Sequence, residues 1–280
     1  MSLIRYPLMD EPAKQHELRS AMPYTREQAL QLETQCELAW HDLLTLQQRF
    51  DFAGRSLTDE HLEEHMRFGV ARRCNVLGFA LRNIYAIYPP DRTKNLDFQE
   101  VADVQINLHA FVINLAGVFD NMAWAFVLRH GLFDRIKLKT RVGMRQELTR
   151  QFLPKPILDQ LDTPAAKEWM DKYLTDYRDA LAHRIPLYLP PTVLTSNQER
   201  ALYSGIDEAK AAAWREGNWQ LAEQLDQQQA LIGQPSPFFL HSFRATAPSR
   251  EMRLHPQIVS DVRTLIDFGG VFLNHWHEVA

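Results

Sequence analysis

The sequence contains few cysteines, which limits how the fold can be held together. Cys36 and Cys74 are the only two, and they form neither a CxxC pair nor a cluster with zinc-site spacing. Such sparse use suits a reducing compartment and argues against disulfides or a structural zinc. We therefore expect a cytoplasmic protein whose 280 residues bury enough apolar surface to fold without such staples.

Several enzyme signatures are also missing, and so are the features of exported proteins. The chain contains no GxGxxG, no GxxxxGKS or GxxxxGKT, and no GxSxG segment. These absences lower the expectation of a dinucleotide enzyme, a P-loop enzyme or a common hydrolase. Residues 1–11 contain no apolar run followed by a small-residue cleavage site, so we expect no secretion signal.

One apolar stretch, residues 109–128, is long enough to suggest a membrane span. It carries Asn114, Asp120 and Asn121 near its middle. A charge at the centre of a membrane helix costs about 2.5–3.5 kcal/mol on insertion scales. We therefore expect a buried core helix and no membrane partner.

The charge balance does not suggest a general nucleic-acid coat protein. The formal net charge is -4, so any contact with nucleic acid would have to be a local patch. One such patch is a basic segment made of Arg135, Lys137, Lys139, Arg141 and Arg145. It could hold RNA phosphates in a salt-sensitive way, or it could be a plain solvated face.

Glycine is scarce and proline is clustered, which is typical of helices joined by short connections. The patterns predict long helices over about 25–52, 58–88, 96–129, 164–185 and 256–276. The composition shifts between 192 and 248, where an Ala-, Glu- and Gln-rich run predicts a helical excursion; 185–189 and 238–243 could pair as strands at its base. We predict one all-α domain over 1–280. It is an up-and-down helical bundle (about 25–190 plus 255–280) with an insertion (about 192–248) and a short two-stranded element.

Three asparagines recur every seven residues on the most apolar helix. Asn107, Asn114 and Asn121 share one stripe with Ala110 and Gly117, at about 100° per residue. A stripe of small and polar residues needs a close, hydrogen-bonding neighbour. The stripe is therefore either a helix–helix contact with satisfied amides or a polar wall that lines a site.

His61 and His65 match the HxxEH pattern of inverted zinc peptidases. Histidines four residues apart on a helix can share a metal ion, with a carboxylate as base. However, the flanks are polar and no clear distal acid motif follows, so we expect a solvated helix face. A metal hydrolase is kept only as a third hypothesis, and we expect neither a metal nor another cofactor.

Arg178 and His183 lie five residues apart, across the end of a helix that Pro186 must stop. Histidine can move a proton near neutral pH, and arginine can bind phosphate oxygens through a bidentate fork. The pair therefore suits phosphodiester cleavage without metal. On an ideal helix the two side chains lie roughly 140° apart, so they share a site only if the last turn unwinds or the site is a groove. On spacing alone, capping or salt-bridge roles compete with this interpretation.

An RxxxxH motif with a polar residue after the arginine, near the end of the penultimate core helix, resembles the HEPN superfamily. The match falls on Arg178, Asp179 and His183, with Asp179 where asparagine is frequent. The resemblance covers roughly 25–185 plus the last helix, and it implies a helical bundle that dimerises. Many members are metal-independent endoribonucleases of toxin–antitoxin and phage-defence systems.

The resemblance also implies roles for single residues. Arg178 would contact the phosphate and the transition state, and His183 would be the general acid or base. The ribose 2′-hydroxyl would attack the adjacent phosphate and leave a cyclic phosphate end, with two motif copies facing each other across a dimer groove. An additional polar residue on a neighbouring helix is implied as well, for which Asp120, Asn121 and Asn114 are candidates; buried structural polarity is the alternative.

We therefore predict a homodimeric, HEPN-like endoribonuclease that cleaves single-stranded RNA in stress or phage defence. Arg184 and the four basic residues from Arg135 to Arg141 are the candidate RNA contacts, and an antitoxin is a candidate partner protein. The alternative is a non-catalytic dimeric module that binds a nucleotide, RNA or a partner protein.

Overall fold

The computed structural model describes residues 24–241 and 250–278, and it is an all-α fold with one two-stranded sheet. Its helical elements in chain order are α1 (Arg26–Arg55), α2 (Glu60–Glu63), a first π-helix (Glu64–Ala71), α3 (Arg72–Ile87), α4 (Phe98–Arg129), α5 (Phe133–Ile136), a 3₁₀ turn (Lys139–Arg141), α6 (Glu147–Arg150), α7 (Lys155–Leu161), α8 (Pro164–Trp169), a second π-helix (Met170–Leu174), α9 (Thr175–His183), α10 (Asn197–Arg215), α11 (Trp219–Gln229) and α12 (Leu254–Glu278).

Capping side chains set where the long helices begin. Thr25 starts α1 and Asp97 starts α4, each through a capping box with a Gln or Glu three residues later. The cap of α2 is Asp59, so the helix predicted over about 58–88 begins at Glu60. Asp59 accepts hydrogen bonds from the amides of His61 and Leu62, because a carboxylate also suits the positive end of the helix dipole.

The core lies between α1, α3, α4 and α12. α3 packs along α4, and α1 packs against the first π-helix, α3 and α12. By length and composition α4 could cross a membrane, but 61% of its most apolar 18-residue window is buried inside the fold. That burial is the pattern of a helix at the centre of a bundle. The short α9 lies against α4.

Two π-helices interrupt helices that the sequence pattern predicted to be regular. One joins α2 to α3, and the other joins α8 to α9. A π-turn inserts an extra residue per turn and so rotates the side chains that follow it; such turns are frequent at functional sites. The apolar periodicity did not predict them, because a single rotated turn leaves most apolar positions facing the core.

The insertion forms a helical hairpin followed by the sheet. α10 and α11 pack against each other, and Gly217 with a φ of 70° lies between them. Strand β1 (Phe238–His241) pairs antiparallel with β2 (Arg250–Arg253). The predicted pairing of 185–189 with 238–243 is reduced to one bridge between Tyr188 and Leu240, since prolines on both sides of Tyr188 cannot donate ladder hydrogen bonds. Residues 242–248 lie outside the described residues.

Candidate functional site

The asparagine stripe of α4 meets an arginine of α3. Arg73 donates from Nε to Asn121 Oδ1 at 2.9 Å and from Nη1 to Asn114 Oδ1 at 3.0 Å. Asn107 accepts a hydrogen bond from Asn83 at 3.0 Å further along the same contact. The stripe thus has the hydrogen-bonding neighbour that its composition requires, and a guanidinium is fixed in the seam between two helices.

His65 extends this polar seam from the first π-helix. Asn121 Nδ2 lies 3.0 Å from His65 Nδ1. Because Asn121 Oδ1 already accepts from Arg73, its Nδ2 must donate to His65, which places the proton of a neutral imidazole on Nε2. The His65 ring stacks on Trp124 at 5.7 Å between ring centres, and burial lowers its pKa below the ordinary histidine value. In its neutral form, His65 therefore has an Nε2–H that it can donate.

Two glycines make room for the seam. A Cβ at Gly69 would stand 2.5 Å from Asn121 Cγ, and a Cβ at Gly117 would stand 2.6 Å from Arg73 Cζ. Real Cβ atoms do not approach so closely, so either side chain would displace the network. Glycine at these two positions lets α4 approach the first π-helix and α3 closely enough for the hydrogen bonds to form.

Asp120 brings the α9 motif next to this seam. It follows Asn114 by six residues and lies on the exposed flank of α4. The partial desolvation of its carboxyl is the largest influence, and it raises the pKa of Asp120 overall; the charges of Arg178 and Arg73 lower the pKa by less. The two guanidiniums, one from α9 and one from α3, therefore act on the same carboxyl. Arg178 also pairs with Asp179 at 3.1 Å, with both side chains about two-fifths exposed (41% and 43%).

His183 is separated from Arg178 on α9. The helix remains regular through His183, and the backbone leaves helical geometry only at Arg184, with a φ of -141°. The predicted stop before Pro186 is confirmed, but the last turn does not unwind before His183. The side chains of Arg178 and His183 consequently point roughly 140° apart within one chain. His183 is exposed and, within the described part of the chain, makes no side-chain hydrogen bond or ion pair.

The residues of the basic segment fall into two groups: four that are exposed to solvent, and Arg145, which makes several contacts within the fold. Arg135, Lys137, Lys139 and Arg141 are exposed, and Arg135 lies over the Phe152 ring at 4.3 Å. Arg184 is exposed as well.

Arg145 pairs with Asp171 and donates to Thr175 Oγ1 at 2.7 Å and to the Met170 carbonyl at 3.1 Å. Its guanidinium therefore links the second π-helix to the start of α9. These contacts within the fold engage it, so we do not count Arg145 among the candidate RNA contacts.

The two histidines of the HxxEH segment have different partners. His61 is exposed and lies 4.0 Å from Glu64, whereas His65 faces Asn121. Over residues 24–241 and 250–278, no three His, Cys, Asp or Glu side chains are grouped closely enough to hold a metal ion.

Sequence reasoning missed His65 and Arg73 as members of the site. The asparagine stripe signalled that a polar neighbour was needed, but Arg73 is 41 and 48 residues away from the two asparagines it contacts. No local sequence pattern predicts the contact of Arg73 with these two asparagines. Comparisons with known proteins add no relative: no protein-family model, no curated protein and no solved structure matches the chain.

Proposed function

We propose that this protein is a HEPN-like, metal-independent endoribonuclease that binds single-stranded RNA on the surface around Asp120. The proposal depends on one arrangement: α9, which carries Arg178, packs on α4, and Arg73 of α3 donates to Asn114 and Asn121 of α4, so both guanidiniums lie near the Asp120 carboxyl. Guanidiniums bind phosphate oxygens through charge-assisted, often bidentate hydrogen bonds. Two guanidiniums near Asp120 would therefore suit the binding of an RNA phosphodiester at this part of the surface.

The residues of the seam would hold hydrogen-bond donors in position for an RNA phosphate. The two asparagines hold Arg73 through Nε and Nη1, so its other N–H groups remain for an RNA phosphate. The His65 Nε2–H is a neutral donor for a second oxygen. Donors fixed in advance in this way stabilise the charge that builds up on the phosphate in the transition state.

The reaction would be an attack of the ribose 2′-oxygen on the adjacent phosphorus. The P–O2′ bond forms, the P–O5′ bond breaks, the 2′-hydroxyl proton passes to a base, and the 5′-oxygen takes a proton. His183 is the candidate for proton transfer, as the HEPN resemblance implies. Because α9 turns His183 away from Arg178, the proposal requires a homodimer in which His183 of the partner subunit faces Arg178.

The outer surface of α3 and α4 is the proposed face between the two copies. Val76 and Phe79 on α3 and Ile106 and Ile113 on α4 are 39%, 56%, 63% and 36% exposed. They flank the polar seam, since both helices bury their opposite sides in the core. Pairing two copies there would cover these apolar side chains and bring both polar seams to one groove.

The experiment is an RNA cleavage assay on a single-stranded oligonucleotide in EDTA. We expect cleavage by the natural chain, with 2′,3′-cyclic phosphate ends detected by mass spectrometry. His183→Ala should lose at least about 100-fold in rate, because it removes the group that transfers the proton. Arg178→Ala should lose at least about 100-fold as well, because it removes a charge that stabilises the transition state. His61→Ala is the matched control, because it removes another exposed histidine, one to which the proposal gives no role. Equal rates in all four proteins would remove the α9 motif from the mechanism.

A second candidate function is a dimeric module that binds RNA, a nucleotide or a partner protein such as an antitoxin, without cleaving RNA. The observation that favours it is the divergence of Arg178 and His183 on a regular helix. It predicts intact RNA in the same assay together with saturable binding that weakens in Arg178→Ala. Cleavage by the natural chain that depends on His183 would exclude it.

A further inference from the structure

Two histidines from distant parts of the chain meet where α4 and α12 end. His130 is the C-cap of α4, and His275 lies in the last turn of α12. Their Nε2 atoms are 3.4 Å apart, although 145 residues separate them in the chain. The pair belongs neither to the polar seam nor to the α9 motif, since His130 follows Asn121 by nine residues, about 14 Å along the axis of α4.

A buried phenylalanine of α4 positions both imidazoles. The ring centre of Phe126, which is 2% exposed, lies 4.5 Å from that of His130 and 6.0 Å from that of His275. The backbone N–H of His130 also donates to the Phe126 carbonyl at 3.2 Å, so the helical hydrogen bonds continue up to this residue. On α12, Trp276 follows His275 directly and is buried. Packing of the core therefore holds the two imidazoles side by side at the surface.

The way the two imidazoles face each other suits a shared metal ion. Their ring planes differ by 20°, and the ring centres are 5.5 Å apart, farther than the Nε2 atoms, so the Nε2 corners are the parts that face each other. Zinc binds histidine nitrogens at about 2.0–2.1 Å in tetrahedral geometry, which places two such nitrogens about 3.3–3.4 Å apart. The Nε2 atoms of His130 and His275 already have that separation.

A hydrogen bond between the two imidazoles explains their separation less well. Hydrogen bonds from N–H donors in proteins usually span about 2.7–3.2 Å. The 3.4 Å between the Nε2 atoms is longer than that. A neutral imidazole can instead carry its proton on Nδ1, which leaves the Nε2 lone pair of each ring free for a cation.

The charges around the pair are compatible with a bound cation. Burial is the main influence on both histidines, and it lowers the pKa of each; Arg129 lowers it further. Glu278 raises the pKa of His275 by less than burial lowers it. Arg129 brings a positive charge close to the pair, but its guanidinium lies over the Trp276 ring, 4.0 Å from the ring centre. The C-terminal turns of helices favour positive charge, and both histidines lie in such turns.

We propose that His130 and His275 bind one zinc ion through their Nε2 atoms. Over residues 24–241 and 250–278 no group of three His, Cys, Asp or Glu side chains completes such a site, so water molecules would fill the other positions around the ion. His130 is exposed and His275 is half-buried, which leaves solvent access for these waters. A bound ion would link the last turn of α12 to the end of α4 and would stabilise the folded state. It would have no part in RNA cleavage, which the proposed function carries out without metal.

The experiment measures binding of zinc chloride to the full, untagged chain by calorimetry, in the absence of RNA. We expect saturable binding, together with a higher melting temperature at saturating zinc. Magnesium chloride should not bind, because magnesium prefers oxygen ligands to imidazole. His130→Ala and His275→Ala should each weaken zinc binding by at least about tenfold, since even the loss of an outer partner of a metal ligand has an effect of that size. The double variant should bind about as weakly as either single variant, because the site needs both imidazoles.

His277→Ala is the matched control. It removes an exposed histidine two residues further along α12, whose side chain points about 200° away from that of His275. The affinity for zinc should stay unchanged in this variant, and circular dichroism checks that every variant keeps the fold. The proposal is overturned if zinc does not bind, if His130→Ala and His275→Ala bind zinc as the natural chain does, or if His277→Ala loses as much affinity as they do. None of these outcomes bears on the RNA site, because RNA cleavage is assayed in EDTA.

Discussion

The polar seam and the α9 motif lie on neighbouring helices but differ in how their side chains are held. In the seam, Arg73 and His65 are fixed by asparagines of α4, and glycines remove the atoms that would block the contact. In the motif, His183 is exposed, and Arg178 pairs with its own neighbour Asp179. The seam is organised within one chain, whereas in the proposed function the motif forms a site only together with Asp120 and a second copy.

This difference shows that a short sequence motif does not by itself predict that its side chains share one site. RxxxxH is visible in sequence because its members are close in the chain, but proximity in the chain does not make two side chains converge on a helix. The seam joins residues from the first π-helix, α3 and α4, and these contacts come from packing. The following predictions test how far each region depends on its surroundings.

The largest expected effect is a pH dependence of the free energy of unfolding. It comes from a buried acid that holds α8, the helix before the second π-helix and α9. Asp261 on α12 is buried and accepts from Trp169 Nε1 and Gln257 Nε2, both at 2.6 Å; Trp169 ends the helix that leads into the second π-helix. Burial raises the pKa of Asp261 to about 7. The folded state therefore favours the protonated acid, and this stability is present at low pH and lost as pH rises from about 4 through 7.

The measurement is urea unfolding of the natural chain and Asp261→Asn across pH 4 to 8. The asparagine keeps an acceptor for Trp169 but does not titrate. Relative to the variant, the natural chain should lose on the order of 3 kcal/mol as pH rises over this range. A pH-independent difference between the two proteins would contradict the prediction.

The next effect tests whether the seam needs its glycines. Gly69→Ala should destabilise the fold by roughly 1–2 kcal/mol, because the new Cβ would overlap Asn121. Gly205→Ala on α10 is the matched control, since its Cβ would meet no atom within 4 Å. Alanine there should stabilise by up to about 1 kcal/mol through helix propensity. Thermal unfolding that shifts in the same direction for both variants would contradict this account of the seam.

The third prediction compares the effects on stability of replacing two asparagines of the stripe. Asn121→Ala should cost roughly 1–2 kcal/mol, since it removes an acceptor from Arg73 and a donor from His65. Asn107→Ala, which breaks an exposed contact with Asn83, should cost less than about 0.5 kcal/mol. Urea unfolding of both variants measures the difference, and equal costs would mean that the seam is ordinary surface polarity.

The smallest effect concerns the basic segment. Lys137 and Lys139 are exposed and, among the described residues, form no salt bridge, so in the proposed function they are free to contact RNA phosphates. Lys137→Gln with Lys139→Gln should lower the slope of log affinity against log salt by roughly 1.4. Binding of single-stranded RNA at several salt concentrations measures this slope. An unchanged slope would place the RNA elsewhere on the surface.

Much of the fold followed from the sequence. Proline positions predicted where α3 and α9 end, and the spacing of apolar residues predicted the long helices and the helical insertion. The π-helices and the pairing of β1 with β2 did not follow, because the first are a one-residue shift in periodicity and the second depends on tertiary context. The asparagine stripe predicted a polar contact but not its partner Arg73, since a partner 41 residues away leaves no local trace.

The central claim is that Arg73 and Arg178 bind the same RNA phosphate. A double-mutant cycle with Arg73→Gln and Arg178→Gln, read out as the dissociation constant for single-stranded RNA in EDTA, tests it most directly. We predict that each variant weakens binding and that their effects are not additive, with a coupling of about 0.5 kcal/mol or more. Strictly additive losses, or binding that neither substitution changes, would contradict the claim.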